Sequence, residues 1–115
     1  MKRNGFIAIL EEDDLIRELL ERWLAEAGYS VRARAGESPR LVVVNLPSPR
    51  GAQARIEALR AVYAAPVLAL SARFQRSLAG SAEAARLLGV KRVLPKPFTL
   101  KELLSAVDEA LEADE

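Results

Sequence analysis

The sequence contains no cysteine and no histidine, and aromatic residues make up only 5% of its 115 residues. Without cysteine there are no disulfides and no thiol nucleophile, and without histidine the protein lacks the commonest metal ligand and proton shuttle. An excess of one charge is also missing, since the formal net charge is +1. Composition therefore gives no electrostatic reason to expect nucleic acid or an acidic partner.

Long hydrophobic runs are absent as well. The first apolar run, Phe6–Leu10, has five residues, which is too short for the core of a signal peptide or for a membrane span. We therefore expect a soluble, cytoplasmic protein without membrane contact. The hydrophobic half of the sequence is mainly Leu, Val, Ile and Ala. It predicts one domain over residues 1–115 with a single modest core.

Short apolar runs alternate along the chain with amphipathic segments. Helices are predicted over residues 15–27, 52–63 and 77–88 and from residue 99 onward, and their alternation with strands predicts an α/β fold with a parallel sheet covered on both faces. Asp13 or Asp14 can cap the first helix, Gly28 suits its end, and Thr99 with Glu102 forms a capping box for the last. The predicted strands are Phe6–Leu10, Val31–Ala35, Leu41–Leu46, Pro66–Leu70 and Lys91–Leu94.

Apolar side chains of the first and last helices recur at three- and four-residue spacing, so we expect them to face the core. In the first helix they are Leu15, Ile16, Leu19, Leu20, Trp23, Leu24 and Ala27. In the last helix they are Leu100, Leu103, Leu104, Val107 and Leu111.

The link between the second and third predicted strands is unusually short, because it contains only the five residues Gly36–Arg40. Parallel strands generally need a crossover of about a dozen residues or more, so no helix fits here. An extended crossover barely reaches the next strand. The alternative is that Val31–Ala35 pairs little or not at all.

Polar side chains follow four of the predicted strands, at the point where each strand ends. Because the carboxyl ends of parallel strands share one edge of a sheet, where ligands bind, we expect these side chains to lie close together. Each one alone is ordinary, since an acidic pair often caps a helix and an asparagine often begins a turn. Their coincidence favours a binding site formed by Glu11, Glu12, Asn45, Ser71 and Lys96.

The order and spacing of these segments resemble the receiver domain of two-component response regulators. The resemblance implies a flavodoxin-like, doubly wound sheet of five parallel strands in the order 2-1-3-4-5, with the second helix missing or replaced by an extended crossover. It covers nearly the whole chain apart from the stretch between Ala35 and Leu41. It rests on Ile7–Glu12, Leu15–Leu20, Ala27–Tyr29, Val42–Leu46, Pro49, Gly51, Pro66–Ala72 and Leu94–Phe98.

The resemblance also assigns roles to residues at the strand ends. The acidic pair that holds Mg²⁺ in the family falls on Glu11 and Glu12, the conserved hydroxyl on Ser71, and the phosphoryl-contacting lysine on Lys96. The phosphoacceptor position falls on Asn45, and an amide cannot be phosphorylated to an acyl phosphate. We therefore expect no catalytic residue and no cofactor, with Mg²⁺ bound weakly or not at all through Glu11, Glu12 and Asn45.

Two further expectations concern the same site. The NH₂ group of Asn45 can donate to Glu11 or Glu12 and so hold the site together without metal. The aromatic residue that the family places three positions before the lysine is Val93 in this sequence. These departures extend beyond the acceptor and argue against a conventional phosphorylation switch.

The resemblance thus implies a phosphorylation-independent, non-enzymatic signalling module that contacts a protein partner, such as a histidine kinase or an adaptor. We expect no nucleic acid contact through this chain, and a homodimer is left open. Two alternatives also stay open: a phosphorylatable receiver with a non-standard acceptor such as Asp13, and a small-ligand sensor that uses the strand-end pocket. The family's usual contact surface falls on Arg86, Lys91, Arg92, Lys101 and Glu102.

Overall fold

The computed structural model describes residues 5–33, 36–46, 51–71, 85–86 and 89–112. No helix in these ranges combines the length and the apolar composition that crossing a membrane requires. The strands are β1 (Phe6–Leu10), β2 (Pro39–Asn45), β3 (Val67–Ser71) and β4 (Arg92–Pro95). The helices are α1 (Asp14–Glu26), α2 (Ala52–Val62) and α3 (Leu100–Glu112).

The four strands form one parallel sheet in the order β1-β2-β3-β4. At its carboxyl end, Asn45 pairs with Leu70 and Ser71 pairs with Pro95. Because the strands run the same way, their last residues share one border, called here the carboxyl edge, and their first residues share the opposite border, the amino edge. The predicted α/β fold with a parallel, flavodoxin-like sheet is confirmed.

Helices cover both faces of the sheet, and each face has its own apolar cluster. Leu41 and Val43 of β2 belong to the cluster that includes side chains of α1 and α3, whereas Val42 and Val44 belong to the cluster that includes α2. All four side chains are at most 1% exposed. A strand buried on both faces needs a continuous apolar run rather than an alternating one, which explains its sequence.

The ends of α1 are set by the residues that the sequence indicated. The carboxylate of Asp13 accepts hydrogen bonds from the backbone N–H groups of Leu15 at 2.9 Å and Ile16 at 3.1 Å, which satisfies two donors that the helix itself leaves unpaired. Gly28 has a φ of 100° and donates its N–H to the Ala25 carbonyl at 3.0 Å. This left-handed conformation ends the helix at little steric cost because glycine has no Cβ.

The apolar face of α1 is buried only in its second half, which corrects the prediction that all seven side chains face the core. The first half of the helix, which follows β1 after the short loop at residues 11–13, is mostly exposed. The buried or half-buried members are Leu20, Trp23, Leu24 and Ala27. The exposed members are Leu15 at 78%, Ile16 at 42% and Leu19 at 42%.

The predicted second strand is not found in the part of it that the structure describes. Val31–Ala33 lie in no strand, and residues 34–35 fall outside the described ranges, so β1 borders the sheet in the described part of the chain. One backbone hydrogen bond reaches β1 from this side, from the Ile7 N–H to the Ser30 carbonyl at 2.8 Å. The alternative, that this segment pairs little, agrees with the described residues.

The short crossover accounts for the missing strand. Ser30 contacts β1 at Ile7, and Pro39 already pairs with Phe6 on the other side of the same strand. Both contacts lie at the amino edge, so the chain passes from one side of β1 to the other there. With β2 beginning at Pro39, too few residues remain for a strand that runs toward the carboxyl edge and a return to the amino edge.

The helix predicted over residues 52–63 is confirmed with its end at Val62. Ile56 is fully buried, and Leu59 and Tyr63 pack against the same cluster. The helix predicted over residues 77–88 lies mostly outside the described residues. Its two described members, Ala85 and Arg86, are helical, and the N–H of Gly89 donates to the Ala85 carbonyl at 2.9 Å.

The capping box of α3 is confirmed in both directions. The N–H of Thr99 donates to Glu102 Oε1 at 2.9 Å, and the N–H of Glu102 donates to Thr99 Oγ1 at 3.1 Å. Leu104 is half-buried, whereas Leu100 is 39% exposed because it occupies the first turn, so its predicted core position is wrong. The fully buried face consists of Leu103, Ala106, Val107, Ala110 and Leu111.

Candidate functional site

The side chains of Asn45 and Lys96 meet at the carboxyl edge of the sheet. Asn45 is the last residue of β2, and Lys96 directly follows β4. The Lys96 Nζ donates a hydrogen bond to Asn45 Oδ1. Both residues are half-buried, and the peptide bond from Lys96 to Pro97 is cis. The two residues lie 51 positions apart in the chain, so it is the parallel sheet that brings them together.

Ser71 lies between these two residues on the central part of the same edge. It is the last residue of β3, which pairs with β2 on one side and with β4 on the other. Its side chain is fully buried, and its carbonyl accepts a hydrogen bond from the Lys96 N–H at 2.8 Å. The backbone of Ser71 therefore fixes the point at which the lysine leaves the sheet.

The two glutamates of the acidic pair lie in different environments. Oε2 of Glu11 accepts a hydrogen bond from the Asp13 N–H at 3.0 Å, whereas its Oε1 is buried without a hydrogen-bond partner. The Glu11 carbonyl accepts from Nη1 of Arg17 at 3.2 Å. Glu12 is exposed. One carboxylate thus helps to shape the loop before α1, while the other faces solvent.

The expected hydrogen bond from the Asn45 amide to the acidic pair is not found between these described residues. Neither oxygen of Glu11 accepts from Asn45, and the bond formed at Asn45 instead runs from Lys96 to its Oδ1. The two contacts use different groups of the amide, since Oδ1 accepts from Lys96 whereas the NH₂ group would donate to a carboxylate. The contact with Lys96 therefore does not replace the expected one.

The charge at this edge follows from the side chains present. Glu11 and Glu12 supply two formal negative charges and Lys96 one positive charge, while Asn45 is neutral. An aspartate at position 45 would place a carboxylate beside this ammonium and raise the formal negative charges of these residues to three. The amide keeps an acceptor oxygen for Lys96 but removes both the additional charge and the oxygen nucleophile.

The comparisons with known proteins point to one kind of domain. No protein-family model matches the chain. It is 32% identical over 118 aligned positions to the transcriptional regulatory protein PdtaR of Mycobacterium tuberculosis, in strains CDC 1551 and H37Rv. The alignment covers 91% of this chain and 56% of the relative, so the chain spans about half the length of these relatives.

Solved structures show the same fold. A response regulator receiver protein from Burkholderia phymatum superposes with a TM-score of 0.70 at 20% identity, covering 95% of this chain and 96% of that one. A response regulator from Thermotoga maritima gives a TM-score of 0.72 at 19% identity, covering 94% and 98%. The chain therefore has the fold of a response regulator receiver domain, and the term receiver-like refers to this fold.

Position 93 of the receiver-like domain is part of its core. Val93 is 1% exposed and belongs to the cluster on the α2 face, together with Ile56 and Ala85. The two neighbouring strand residues, Arg92 and Leu94, are half-buried and buried. The position thus holds a small buried side chain in place of the aromatic one that the resemblance suggested.

The predicted contact surface of the receiver-like domain includes residues that already make contacts within the domain. Arg86, Lys91 and Lys101 are exposed. Arg92 forms an ion pair with Glu109 of α3, and Glu102 belongs to the capping box. Arg92 and Glu102 thus have contacts within the domain itself.

One surface feature of the receiver-like domain was missed. Leu15, Ile16 and Leu19, named here the α1 patch, lie in the first two turns of α1, which directly follow the acidic pair. Their spacing is that of a core face, so periodicity alone predicted burial. The signal that could have found them is their position at the start of a helix that begins beyond the carboxyl edge.

Proposed function

We propose that this receiver-like domain is a phosphorylation-independent signalling module that acts through protein–protein contact in a two-component-type pathway. The observation that carries the proposal is the side chain at the end of the central strand. It is an asparagine whose oxygen accepts a hydrogen bond from Lys96. Because the acceptor position holds an amide, signalling through an acyl phosphate has no nucleophile at this place.

The chemistry of phosphoryl transfer supports this step. Covalent phosphorylation of a carboxylate begins with attack of an anionic oxygen on phosphorus, and positioning and charge stabilisation by cations accelerate it. Asn45 supplies a neutral amide oxygen, which is a much weaker nucleophile. Lys96 and Ser71 are the residues to which the resemblance assigns contact with a phosphoryl group, yet neither can replace the missing carboxylate.

The side chains at the carboxyl edge fit the magnesium ion of the family poorly. Mg²⁺ prefers several hard oxygen ligands in near-octahedral geometry. Glu11 offers one buried carboxylate oxygen without a partner, Glu12 is exposed, and the Asn45 oxygen already accepts from the cationic Lys96. We expect weak Mg²⁺ binding that the Asn45→Asp replacement strengthens, measured by isothermal titration calorimetry.

The α1 patch is the contact surface that the exposures favour. Leu15 is 78% exposed, and Ile16 and Leu19 are each 42% exposed, on the turns that follow Glu11 and Glu12. Apolar side chains clustered at an exposed helix start are typical of a surface that packs against another protein, for example a partner helix. The basic residues Arg86, Lys91 and Lys101 form the second candidate surface.

The expected partner is a histidine kinase or an adaptor protein. The curated relatives are transcriptional regulators, but this chain matches about half of their length. Contact with nucleic acid is therefore not part of the function proposed for this domain. A homodimer is the other association that the proposal allows, and size-exclusion chromatography with light scattering measures it directly.

Binding to purified histidine kinases of the same organism tests the proposed contact surface. We expect Leu15→Ser and Leu19→Ser each to weaken binding by about tenfold, since each removes apolar area buried by the partner. Val62→Ser is the matched control, because Val62 is 73% exposed on α2. Unchanged affinity for both leucine variants, with a loss for Lys101→Glu, would move the interface to the basic surface.

Replacement of the acceptor distinguishes the proposal from the alternative of a phosphorylatable receiver. If the rest of the site is intact, Asn45→Asp gains Mg²⁺-dependent phosphorylation from a small phosphodonor such as phosphoramidate, measured by intact mass. Adding Lys96→Ala to this variant removes the positive charge and should reduce the rate. Phosphorylation of the parent chain to the same extent as Asn45→Asp would contradict phosphorylation independence.

A further inference from the structure

A pocket opens at the amino edge of the sheet, at the opposite end of the strands from Asn45. Its volume is about 540 Å³, which lies within the range of small-molecule sites. It is formed by the end of α2, the start of β3 and the turn before β4. The lining residues are Arg60, Tyr63, Ala64, Ala65, Pro66, Val67, Gly89, Val90 and Lys91.

Among the described residues that line the pocket, the two charged ones are basic and none is acidic. These two residues, Arg60 and Lys91, are exposed. Nη1 of Arg60 donates to the Gly89 carbonyl at 3.4 Å, which holds the guanidinium over the turn. A guanidinium carries several N–H donors, so this bond leaves others for a carboxylate or phosphate group.

Gly89 is needed for this placement of the arginine. Its φ is 75°, and a Cβ at this position would lie 2.8 Å from Arg60 Nη1. A side chain would therefore be strained by the backbone conformation and would also displace the guanidinium. The glycine lets the arginine approach the turn closely enough to bond its carbonyl.

The remaining walls are apolar and well fixed. Tyr63, Pro66 and Val90 are half-buried, and Val67 is buried. Backbone hydrogen bonds hold the turn to the sheet, since the Lys91 N–H donates to the Val67 carbonyl at 3.0 Å. A tyrosine ring beside small apolar side chains suits the face of a planar group, because such surfaces pack without unpaired polar atoms.

We propose that this pocket binds a small anion with a planar apolar body, such as an aromatic carboxylate or a mononucleotide. The acidic group lies between Arg60 and Lys91, and the planar part packs against Tyr63, Pro66 and Val90. The site is separate from the carboxyl edge, since β3 runs from Val67 to Ser71, about 13 Å at the usual rise per strand residue. The proposal therefore stands independently of Asn45 and its chemistry.

Titration of the isotope-labelled domain, followed by two-dimensional NMR, tests the proposal. The probes are benzoate, 2-naphthoate and adenosine monophosphate, each compared with its neutral counterpart: benzamide, 2-naphthamide and adenosine. We expect at least one anion to give saturable shifts at Val67, Gly89, Val90 and Lys91. Its neutral counterpart should bind about tenfold more weakly, since a charge-assisted hydrogen bond is lost.

Variants locate the binding and separate it from adventitious attraction to basic side chains. Arg60→Gln and Lys91→Gln should each weaken binding about tenfold, while Arg55→Gln, an exposed arginine of α2 outside the pocket, should leave it unchanged. Failure of all three anions to give saturable shifts at these residues overturns the proposal. So does equal binding of the neutral probes, or an equal loss of binding in Arg55→Gln.

Discussion

The two edges of the sheet use their polar side chains in different ways. At the carboxyl edge, the Lys96 ammonium bonds the Asn45 amide, and its backbone N–H bonds the Ser71 carbonyl. At the amino edge, Arg60 and Lys91 border an open pocket and are both exposed. Lys96 and Asn45 thus bond each other at the carboxyl edge, whereas the basic side chains at the amino edge are exposed to solvent.

The position of a site and its chemistry are set by different parts of the molecule. Parallel strands bring Asn45, Ser71 and Lys96 together whatever the identity of the first residue, because the backbone sets the register. The reaction, in contrast, depends on whether that residue is a carboxylate or an amide. A fold can therefore retain the geometry of a phosphoryl-accepting site after its nucleophile is gone.

The largest expected effect is on the free energy of unfolding, from a buried residue of the strand that joins the two edges. Leu68 lies in β3 and is fully buried, so Leu68→Ala should lower the free energy of unfolding by about 2–5 kcal/mol through lost burial and a cavity. Denaturant unfolding followed by circular dichroism measures it. A loss below about 1 kcal/mol would show that Leu68 does not anchor the cluster on the α1 and α3 face.

A smaller effect on stability is expected from the cap at the start of α3. Thr99→Ala removes the side-chain acceptor for the Glu102 N–H and should cost about 1 kcal/mol of unfolding free energy. Thr99→Ser keeps the hydroxyl and serves as the control. Equal stability of the alanine and serine variants would exclude an energetic role for the cap.

The contact between Lys96 and Asn45 should contribute less to stability. Lys96→Met keeps most of the side-chain stem but removes the donor to Asn45, and because both residues are half-buried, water can replace the lost partner. We expect a loss of about 0.5–1 kcal/mol, with planar-anion binding at the amino edge unchanged. Altered binding at the distant pocket would show that the two edges are coupled.

The smallest effect belongs to the ion pair between β4 and α3. Arg92 and Glu109 have side chains that are 30% and 60% exposed, and solvent screens pairs of this kind. Arg92→Gln should change the unfolding free energy by about 0.5 kcal/mol or less. A loss above about 2 kcal/mol would contradict the interpretation of this contact as a surface pair.

Much of the fold could be predicted from local sequence patterns. The buried run before Asn45, the Asp13 cap, the Gly28 helix end and the reciprocal Thr99–Glu102 box depend on neighbours in the sequence, and each is present in the structure. The alternation of strands and helices was sufficient to predict the parallel sheet. Parallel pairing then placed the strand ends of the candidate site on one edge.

The features that sequence did not predict depend on distant parts of the chain. Val31 continues an alternating pattern that favours a strand, yet the short link to Pro39 leaves it unpaired in the described residues. Leu15 has core spacing, but nothing described covers it. The pocket at the amino edge joins Arg60 to Gly89 across 29 positions, which no local pattern reveals.

The most direct test of the central claim is the intact mass of the parent chain after incubation with phosphoramidate and Mg²⁺, with Asn45→Asp treated in parallel. We predict an unchanged mass for the parent chain, because the acceptor position holds an amide. Addition of one phosphoryl group to the parent chain, mapped by peptide sequencing to Asn45 or to Asp13, would contradict the account.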